Sequence, residues 1–402
     1  MMEELMSKKT LKVGLIGLGW MGRLHTRSYK QLAERFPELN VQTELFTACD
    51  AQEENRRIAV EELGYKKAVS DYREVMADPQ VDIVSICAPN FLHKEIALAA
   101  AAAGKPFWIE KPMGVCAEES AQIALAAQKA GVATAVGFNY RHTPAVEKAR
   151  EIVRAGRIGR ITNVRAWLIA DYASNPDGPL TWRYDTKRAG AGVIPDLMCH
   201  GADLIQYILG DRISRLCAST GIFINERPIP TKEGVGHTGW EVSDRKGKVD
   251  NEDYVAALIE LSAGAIGTLE SSRVANGPRA EYIVEIYGTE GSLRWNFEFL
   301  NDLWVCLAKD REFTGYKRVM AGPDFPNFLR FQPGAGTSMG FDDMKAVEAA
   351  QFVSSVIDGA QNAPSVGDGW AAAEVGDAMV RSVSSGAWET VRQVSVPTTF
   401  EK

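Results

Sequence analysis

The first third of the chain alternates short apolar runs with stretches rich in helix-forming residues. The apolar runs predict strands at 11–16, 43–49, 68–69, 81–86, 106–109 and 133–136. The stretches between them predict helices at 25–36, 51–63, 72–77, 94–103 and 117–130. Strands that alternate with helices in this way are typical of an α/β Rossmann domain with a doubly wound parallel sheet, which we expect to span residues 1–137.

Beyond Gly137 apolar and polar positions alternate, with turn residues between the runs. This pattern predicts strands at 161–169, 215–224, 254–261, 265–272, 282–287 and 292–295. It predicts helices at 144–155, 343–357 and 370–384. We therefore expect an α+β domain over residues 138–402, with a large open, mainly antiparallel sheet covered by helices on one face. The last two helices should pack back on the junction between the two domains.

Two stretches rich in glycine, proline and charge, 225–251 and 321–340, predict long loops. Loops of this length are uncommon without a function, so each is a lid, a subunit contact or a tolerated insertion.

Composition narrows the class of protein. The 402 residues are 46% apolar, which favours folded domains with sizeable cores. The net charge of −7 argues against nucleic acid as a partner. The six cysteines are scattered without a C-x-x-C pair, and no leader or long apolar run is found. We expect a cytoplasmic protein with reduced thiols and no membrane segment.

A glycine-rich segment follows the first strand and precedes the first helix. Gly17, Gly19 and Gly22 have the G-x-G-x-x-G spacing, with Trp20 and Met21 between the last two glycines. In a dinucleotide site the first glycine permits the tight turn, the second lets the backbone approach a pyrophosphate, and the third lets the helix close on the strand. The segment predicts a dinucleotide-binding site.

Asp50 ends the second predicted strand, where a carboxylate can accept a hydrogen bond from a ribose 2′-hydroxyl and repel a 2′-phosphate. The sequence therefore favours NAD over NADP as the cofactor. Arg56 and Arg57 leave a 2′-phosphate open as an alternative.

Lys111 stands at the carboxyl end of the fifth predicted strand, the edge where such sheets bind ligands. Its ammonium could hydrogen-bond a substrate hydroxyl and favour an alkoxide. Partial burial and a positive nicotinamide ring would both lower the pKa of this lysine. The alternative is a surface lysine in a turn.

Asp196 and His200 follow a glycine-rich turn and lie four residues apart, a spacing that puts both on one face of a helix. The imidazole suits proton acceptance from a hydroxyl, and the carboxylate could hold the ring or bind substrate. An aspartate that caps the helix beside a packed histidine is one alternative. A metal site that also includes Asp203 is another.

Several short motifs run along the whole chain in order: Gly17-x-Gly19-x-x-Gly22-x-x-His25, Ala88-Pro89-Asn90-x-x-His93, Glu110-Lys111-Pro112, Phe138-Asn139-Tyr140-Arg141, Gly156-x-Ile158-Gly159, Trp182-Arg183 and Asp196-x-x-x-His200-x-x-Asp203. Together they resemble the glucose–fructose oxidoreductase / inositol dehydrogenase / rhizopine-catabolism (Gfo/Idh/MocA) family. The resemblance implies NAD(P)-dependent oxidation of a secondary ring hydroxyl on a sugar or polyol, without a metal. It also implies a homo-oligomer, a dimer or tetramer, formed through the C-terminal sheet.

Carried onto matching positions, the resemblance makes Lys111, Asp196 and His200 the catalytic set. It places Pro89, Asn90, His93 and Glu110 along the cofactor. The mechanism we expect has His200 accept the hydroxyl proton while the hydride passes to nicotinamide C4. Lys111 then stabilises the developing alkoxide and Asp196 orients His200 or the sugar, although Lys111 and His200 could exchange roles.

Four further stretches are most similar to family members that oxidise the C3 hydroxyl of an anhydro-sugar or a glycoside: 179–183, 189–192, 226–228 and 288–292. Ala191 and Met198 depart from the family pattern beside the expected substrate pocket. The candidate sugar contacts are Tyr140, Arg141, Trp182 and Arg183, because aromatic faces pack on sugar C–H groups and arginine donates to hydroxyls. Core packing or a structural ion pair is the alternative for each.

Other activities share these motifs. An inositol or polyol dehydrogenase and an NADP-linked reductase belong to the same family. A glycoside-cleaving enzyme that uses NAD transiently would release no net NADH. A sensor that binds a dinucleotide without catalysis is a different class of protein, and it would not need Lys111 and His200 together.

Overall fold

The computed structural model describes residues 8–232, 234, 239–308 and 315–394. The first half forms a six-stranded parallel sheet in the order β3-β2-β1-β4-β5-β6. Its strands are β1 (Lys9–Ile16), β2 (Val41–Cys49), β3 (Lys67–Val69), β4 (Ile83–Ile86), β5 (Phe107–Ile109) and β6 (Thr134–Val136). Its helices are α1 (Trp20–Arg35), α2 (Glu53–Ile58), α3 (Tyr72–Ala77), α4 (Asn90–Ala102) and α5 (Ala117–Ala130), with a π-turn over Ala59–Leu63. The predicted Rossmann fold is confirmed.

The second half is built on a larger sheet. Across the described residues its strand order is β16-β15-β14-β13-β7-β12-β11-β8-β17, and every neighbouring pair is antiparallel except β7 with β12. The strands of the sheet are β7 (Ile161–Ala170), β8 (Ile213–Gly221), β11 (Tyr254–Leu261), β12 (Ile266–Ser272), β13 (Ala280–Gly288), β14 (Gly291–Asn296), β15 (Asp302–Leu307), β16 (Lys317–Met320) and β17 (Glu389–Thr390). Two further strands, β9 (Glu226–Lys232) and β10 (Glu241–Lys248), pair apart from it. The helices are α6 (Pro144–Arg154), α7 (Thr186–Ala189), α8 (Cys199–Leu209), α9 (Phe328–Phe331), α10 (Phe341–Asp358) and α11 (Val366–Ser385). The predicted open, mainly antiparallel sheet is confirmed.

One face of this sheet packs on helices. Val255, Ala257 and Ile259 of β11 are buried in one apolar cluster with residues of α6, α8 and α11. The alternation of buried and exposed positions along β11 is the period-two pattern of a sheet with one covered face. On the opposite face Leu258 of β11 is 55% exposed.

The predicted loop at 225–251 is wrong in part. Strands β9 and β10 form an antiparallel ribbon there, while residues 233 and 235–238 lie outside the described part. Pro228 and Pro230 concealed the ribbon, because proline removes a ladder donor and usually argues against a strand. A two-stranded ribbon tolerates proline because both strands are edges.

The predicted loop at 321–340 is also partly wrong, because it contains α9. Phe328 and Phe331 of that helix are buried in the core of the nucleotide-binding half, where Phe331 packs edge-on against Phe36 at 6.0 Å between ring centroids. This segment is therefore packed within the chain. Strands β15 and β16 were not predicted.

The two C-terminal helices pack on both halves. Phe352 of α10 is buried in the apolar cluster that includes strand and helix residues of the Rossmann half. Trp370 of α11 is buried against the opposite side of the same half, and Val375 of α11 belongs to the core of the larger sheet. A capping box in which Ser365 and Asp368 exchange hydrogen bonds starts α11. The division into two domains at residues 137 and 138 stays a prediction.

The six cysteines are unpaired thiols. Among the described residues, no helix has the length and apolar character that crossing a lipid bilayer requires.

Candidate active site

The three glycines of the turn between β1 and α1 differ in why a side chain would or would not fit. Gly17 has φ +91°, and a Cβ there would lie 2.6 Å from the Cys87 carbonyl oxygen. A Cβ on Gly22 would collide with the Gly17 carbonyl oxygen. A Cβ on Gly19 would meet nothing within 4 Å. The protein's own packing therefore requires Gly17 and Gly22, whereas Gly19 faces open space.

That open space lies in front of the first turn of α1. The turn contains no acidic residue, so its free N–H groups and positive dipole end suit a pyrophosphate. Trp20 is 56% exposed and stacks on Phe341, the first residue of α10, at 5.5 Å. Met21 is half-buried. The turn fits the dinucleotide that the sequence predicts.

Asp50 follows β2 and lies beside the glycine-rich turn. One oxygen of its carboxylate accepts a hydrogen bond from the Leu18 amide at 2.8 Å, and the other accepts one from Gln52 at 2.9 Å. A carboxylate oxygen can accept more than one hydrogen bond, so Asp50 keeps the capacity to receive a ribose hydroxyl. Arg56 donates to the Asp50 backbone oxygen at 2.9 Å.

His93 joins two loops of the Rossmann half. Pro89 and Asn90 are half-exposed at the start of α4, whereas His93 is 1% exposed. Its two ring nitrogens lie 2.8 Å from the carbonyl oxygens of Ala88 and Pro112. His93 therefore holds the loop after β4 against the turn that carries Lys111. Direct contact of Pro89, Asn90 or His93 with the cofactor stays a prediction.

Glu110 is buried in an ion-pair network. Its carboxylate oxygen lies 3.0 Å from His25 Nε2 and 2.5 Å from Lys345 Nζ, and Lys345 also contacts Glu348 at 3.2 Å. Burial opposes the charged form, but Lys345 and His25 hold the pKa of Glu110 below its usual range. Trp108 stacks on the His25 ring. Glu110 is 6% exposed, so these contacts make it a positioning residue and its contact with a cofactor stays a prediction.

Lys111 and Asp196 meet between the two halves of the chain. Lys111 Nζ donates to the backbone oxygen of Asp196 at 2.6 Å and to its Oδ1 at 3.2 Å. The Tyr172 hydroxyl donates to Oδ2 of Asp196 at 2.7 Å. The side chains of Lys111 and Asp196 stay 18% and 30% exposed, so both can reach a ligand.

Asp196 sits in the π-turn Ile194–Met198 that precedes α8. Glu252, which is 9% exposed, fixes this turn by accepting hydrogen bonds from the amides of Gly192 at 2.7 Å and Ile194 at 3.0 Å. A Cβ on Gly192 would collide with the Glu252 backbone oxygen. The close approach of these two segments sets the position of Asp196.

His200 lies in the first turn of α8 and is 6% exposed. Three aromatic rings surround it: Tyr140 at 4.7 Å and Phe138 at 6.2 Å between centroids lie roughly perpendicular to the imidazole, and Tyr282 at 6.3 Å is tilted against it. Among the described residues no hydrogen bond joins the His200 ring to Asp196. Of the two expected roles for Asp196, the structure favours contact with a ligand over orientation of His200.

The charges of this group are set by burial and by one another. Burial alone would lower the pKa of Lys111, but the Asp196 carboxylate outweighs it and raises the pKa above 10.5. Burial opposes ionisation of Asp196, yet Lys111 and Arg183 hold its pKa below the usual range. Burial lowers the pKa of His200 well below 6.5, and the Lys111 charge lowers it further. The expected lowering of the Lys111 pKa is therefore wrong for this chain, because the sequence did not show that Asp196 pairs with it.

The four candidate sugar contacts have different environments in the structure. Tyr140 packs on His200, and the Arg183 guanidinium stacks on Trp182 at 4.4 Å. Arg141 is 7% exposed and pairs with Asp203, with Nε donating to Oδ2 at 2.8 Å. The structure favours the structural ion pair for Arg141, and it leaves the other three near the Asp196–His200 region as predictions.

The same ion pair decides against the alternative metal site. The Asp203 carboxylate faces Arg141, so it does not converge with Asp196 and His200 on one point. No cluster of three histidine, cysteine or carboxylate side chains suited to a metal occurs in the described part of the chain. Met198 is 2% exposed in the core of the larger sheet, so it does not line an open pocket as its sequence position suggested.

Two residues of the site escaped the sequence analysis. Tyr172 follows β7 by two positions, at the end of a strand, where a polar aromatic side chain is a weak signal for a site. Glu252 is one acid among several in a charged stretch. Their partners, Asp196 and Gly192, are distant along the chain, so only the fold reveals the contacts.

The chain belongs to the Gfo/Idh/MocA oxidoreductases. Residues 11–138 match the oxidoreductase family with the NAD-binding Rossmann fold, and residues 146–294 match the GFO/IDH/MocA C-terminal domain. The predicted family, oxidoreductase class and NAD cofactor are confirmed. The open glycine turn, the Asp50 carboxylate and the free first turn of α1 fit this cofactor.

Individual members of the family differ in how much of this chain they match. Levoglucosan dehydrogenase of Pseudarthrobacter phenanthrenivorans is 35% identical over 96% of this chain and 100% of its own length. Its structure in complex with NADH and levoglucosan superposes with a TM-score of 0.90 at 34% identity, again over 96% of this chain and 100% of that one. Myo-inositol 2-dehydrogenase of Thermotoga maritima is 27% identical over 70% of this chain and 74% of its own.

Proposed function

We propose that this protein oxidises a secondary ring hydroxyl of a sugar or polyol with NAD. The substrate we favour is an anhydro-sugar or glycoside, oxidised at C3. The observation that carries the proposal is the contact of Lys111 with Asp196, at 2.6 and 3.2 Å, four residues before the buried His200, whose pKa is lowered by burial and by the Lys111 charge. An alcohol oxidation needs such a donor for the developing alkoxide and such an acceptor for the hydroxyl proton.

The relatives support the substrate class. Levoglucosan dehydrogenase matches along the whole of its own length, which includes the segments that carry Tyr172, Asp196 and Glu252. Myo-inositol 2-dehydrogenase matches at lower identity and over less of the chain. Both names describe dehydrogenases of uncharged ring polyols. An anhydro-sugar therefore ranks above an inositol as the substrate.

Each residue of the group has a distinct role in the proposal. NAD, when bound, supplies the hydride acceptor. Lys111 donates a hydrogen bond to the reacting oxygen and stabilises its negative charge, because Asp196 keeps the ammonium protonated. His200 accepts the hydroxyl proton, because burial keeps its ring neutral. Asp196 accepts hydrogen bonds from Lys111 and Tyr172 and can accept another from a neighbouring sugar hydroxyl.

The first experiment is a substrate screen with purified protein and NAD. Levoglucosan, free hexoses, inositols and aryl glucosides are tested while NADH absorbance and release of the aglycone are both followed, and NMR of the product identifies the oxidised carbon. We expect NADH formation with the anhydro-sugar or a glucoside and a 3-keto product. Aglycone release without net NADH would instead identify a redox-neutral glycoside-cleaving enzyme. No turnover with any of these compounds would contradict the proposal.

Variants test the assigned roles. Lys111→Ala and His200→Ala should each lower turnover at least about a hundredfold with NAD affinity little changed, as loss of acid–base help would. Lys187→Ala is the matched control for Lys111, since Lys187 is an exposed lysine of α7. Turnover within a few-fold of the parent enzyme would remove that residue from the mechanism.

We further propose that copies of the chain associate through the uncovered face of the larger sheet. Leu258 and Ile266 lie on that face, on the adjacent strands β11 and β12, and are 55% and 59% exposed. Exposed apolar side chains that cluster on one sheet mark an association surface. Light scattering should give a dimer or tetramer, and Leu258→Lys with Ile266→Lys should lower the mass. A monomeric parent protein would exclude this association.

A further inference from the structure

A cavity of about 450 Å³ lies outside the site described above. It is formed where the C-terminal ends of α6 and α8 meet the turn that precedes α11. It shares none of its lining residues with the group of Lys111, Asp196 and His200. Its chemistry is also different, because most of its lining side chains are polar and several are cationic.

Positive charge exceeds negative charge in this cavity. Four arginines line it, Arg141, Arg150, Arg154 and Arg212, against two carboxylates, Asp211 and Asp368. Arg141 is neutralised by Asp203 and by Asp368 at 3.1 Å. The Asp211 carboxylate accepts hydrogen bonds from two backbone amides, at 2.8 and 3.0 Å.

With Asp203 counted, four arginines stand against three carboxylates, and three of the guanidinium groups make no ion pair with a described residue. Within the described residues, no carboxylate lies within ion-pair distance of Arg150, Arg154 or Arg212. The Arg150 guanidinium stacks on the Tyr207 ring at 4.4 Å, and Arg141 stacks on the same ring at 4.6 Å. Stacking fixes the orientation of Arg150 while leaving its N–H groups free to donate at the ring edge.

Buried donors in the cavity lack acceptors. Arg150 Nε is buried without a hydrogen-bond partner in the described chain. His142, which is 2% exposed, has no hydrogen-bond partner among the described residues at either ring nitrogen, so the one N–H donor of its neutral ring is also unpaired, and the nearest carboxylate oxygen, on Glu147, is 3.7 Å away. A buried donor with no acceptor costs free energy that an anion in the cavity would recover.

Gly210 completes the shape of the cavity. It has φ +63° at the end of α8, and a Cβ there would collide with the Arg154 guanidinium. The absent side chain leaves room for Arg154 to lie over the helix end. The cavity is therefore built from an unpaired arginine cluster, a buried unpartnered histidine and a glycine that admits one of the arginines.

We propose that this cavity binds a phosphoryl dianion, either inorganic phosphate or the phosphate of a sugar phosphate. Guanidinium forks match phosphate oxygens in bidentate geometry, and three unpaired arginines favour a dianion over a monocarboxylate. The volume exceeds what one phosphate needs and falls within the range of small-molecule pockets, so it can also hold a phosphorylated sugar.

The test is a calorimetric titration of the protein saturated with NADH, so that the dinucleotide site is already filled. Inorganic phosphate and glucose 6-phosphate are titrated at constant ionic strength, with glucose as the uncharged control. We expect one binding site per chain for a phosphoryl compound, and saturating glucose, which can occupy only the sugar site of the candidate active site, should leave that binding unchanged. Tighter binding of glucose 6-phosphate identifies a sugar phosphate as the ligand, and equal binding identifies phosphate alone.

Variants separate this site from general charge effects. Arg150→Gln and Arg154→Gln should each weaken binding at least about tenfold, which is the scale of one lost charge-assisted contact. Arg157→Gln removes the same charge from an exposed position three residues beyond Arg154 and should change binding less than about twofold. NADH binding and the melting temperature verify that each variant is folded. Absent binding, or equal losses in all three variants, would overturn the proposal.

Discussion

Replacing Asp196 by asparagine tests the charge balance that keeps Lys111 protonated. Asp196→Asn removes a negative charge 3.2 Å from Lys111 Nζ. It keeps an amide oxygen that can accept a hydrogen bond, and the backbone oxygen at 2.6 Å is unaffected. The main loss is therefore the Coulomb attraction between the two side chains.

The size of that loss follows from the distance and the exposure. At 3.2 Å, unit charges attract by about 1 kcal/mol in a water-like medium and by about 5 kcal/mol at an effective dielectric constant of about 20. The two side chains are 18% and 30% exposed, which places the pair toward the lower end, at about 1.5–3 kcal/mol. This corresponds to about one to two pKa units. We expect the pKa of Lys111 to fall by that amount, because burial then acts without its main counterweight.

The assay is competitive labelling of lysine amines with acetic anhydride across a pH series, read for the Lys111 peptide by mass spectrometry. Acetic anhydride reacts only with the neutral amine, so the pH dependence of labelling gives the Lys111 pKa without relying on residual turnover. Asp171→Asn is the control, because the Asp171 carboxylate pairs with Arg279 at 2.6 Å. A Lys111 pKa that is unchanged or higher in Asp196→Asn would refute the electrostatic account of the site.

Three further predictions follow from individual contacts. Gly19→Ala should weaken NADH binding at least about tenfold in a fluorescence titration without lowering the melting temperature. Gly22→Ala should lower both the NADH affinity and the melting temperature, because its Cβ meets a carbonyl oxygen. An equal fall in melting temperature in the two variants would contradict this difference. Tyr172→Phe loses a hydrogen bond to the Asp196 carboxylate that is worth about 1.5–3 kcal/mol. The kcat should therefore fall about tenfold or more at constant NAD affinity. A kcat equal to that of the control variant Tyr254→Phe would reject the positioning role of Tyr172. Lys345→Met leaves two carboxylates buried without their ammonium, so urea unfolding at pH 7 should show a loss of about 3–5 kcal/mol. That loss of stability should shrink below pH 4.5, the usual glutamate pKa, because the pKa of Glu110 is lowered only in the folded protein. A loss that does not depend on pH would contradict the role of Lys345 as the counter-charge of Glu110.

Periodic segments of the chain predicted the fold well. The helices at 72–77 and 117–130 and the strand at 254–261 lie where the pattern placed them, because apolar period and flanking turn residues are local signals. The ribbon of β9 and β10 has neither signal, since prolines and charges occupy its strands. Its two strands pair with each other, and the Leu180 amide, which is distant in the sequence, donates to the Pro228 oxygen at 2.8 Å.

The candidate site divides in the same way. Lys111 could be found because it follows a parallel strand, and Asp196 and His200 because they follow a glycine-rich turn. Tyr172 could not, because its contact with Asp196 depends on where β7 ends in the larger sheet. The direction of the Lys111 pKa was wrong for a related reason: burial can be expected from a strand end, but the position of a counter-charge cannot.

Helix α10 comes late in the chain, yet it supplies the ammonium that neutralises Glu110 and an apolar face that covers the first helix of the nucleotide-binding half. During synthesis the ribosome releases that half long before α10 exists. Until α10 is synthesised, the nascent nucleotide-binding segment therefore has an exposed apolar surface and a Glu110 carboxylate without its ammonium partner. For protein engineering, the same feature means that the first 137 residues should not be exchanged between relatives on their own. The helix that covers them is encoded some two hundred positions later.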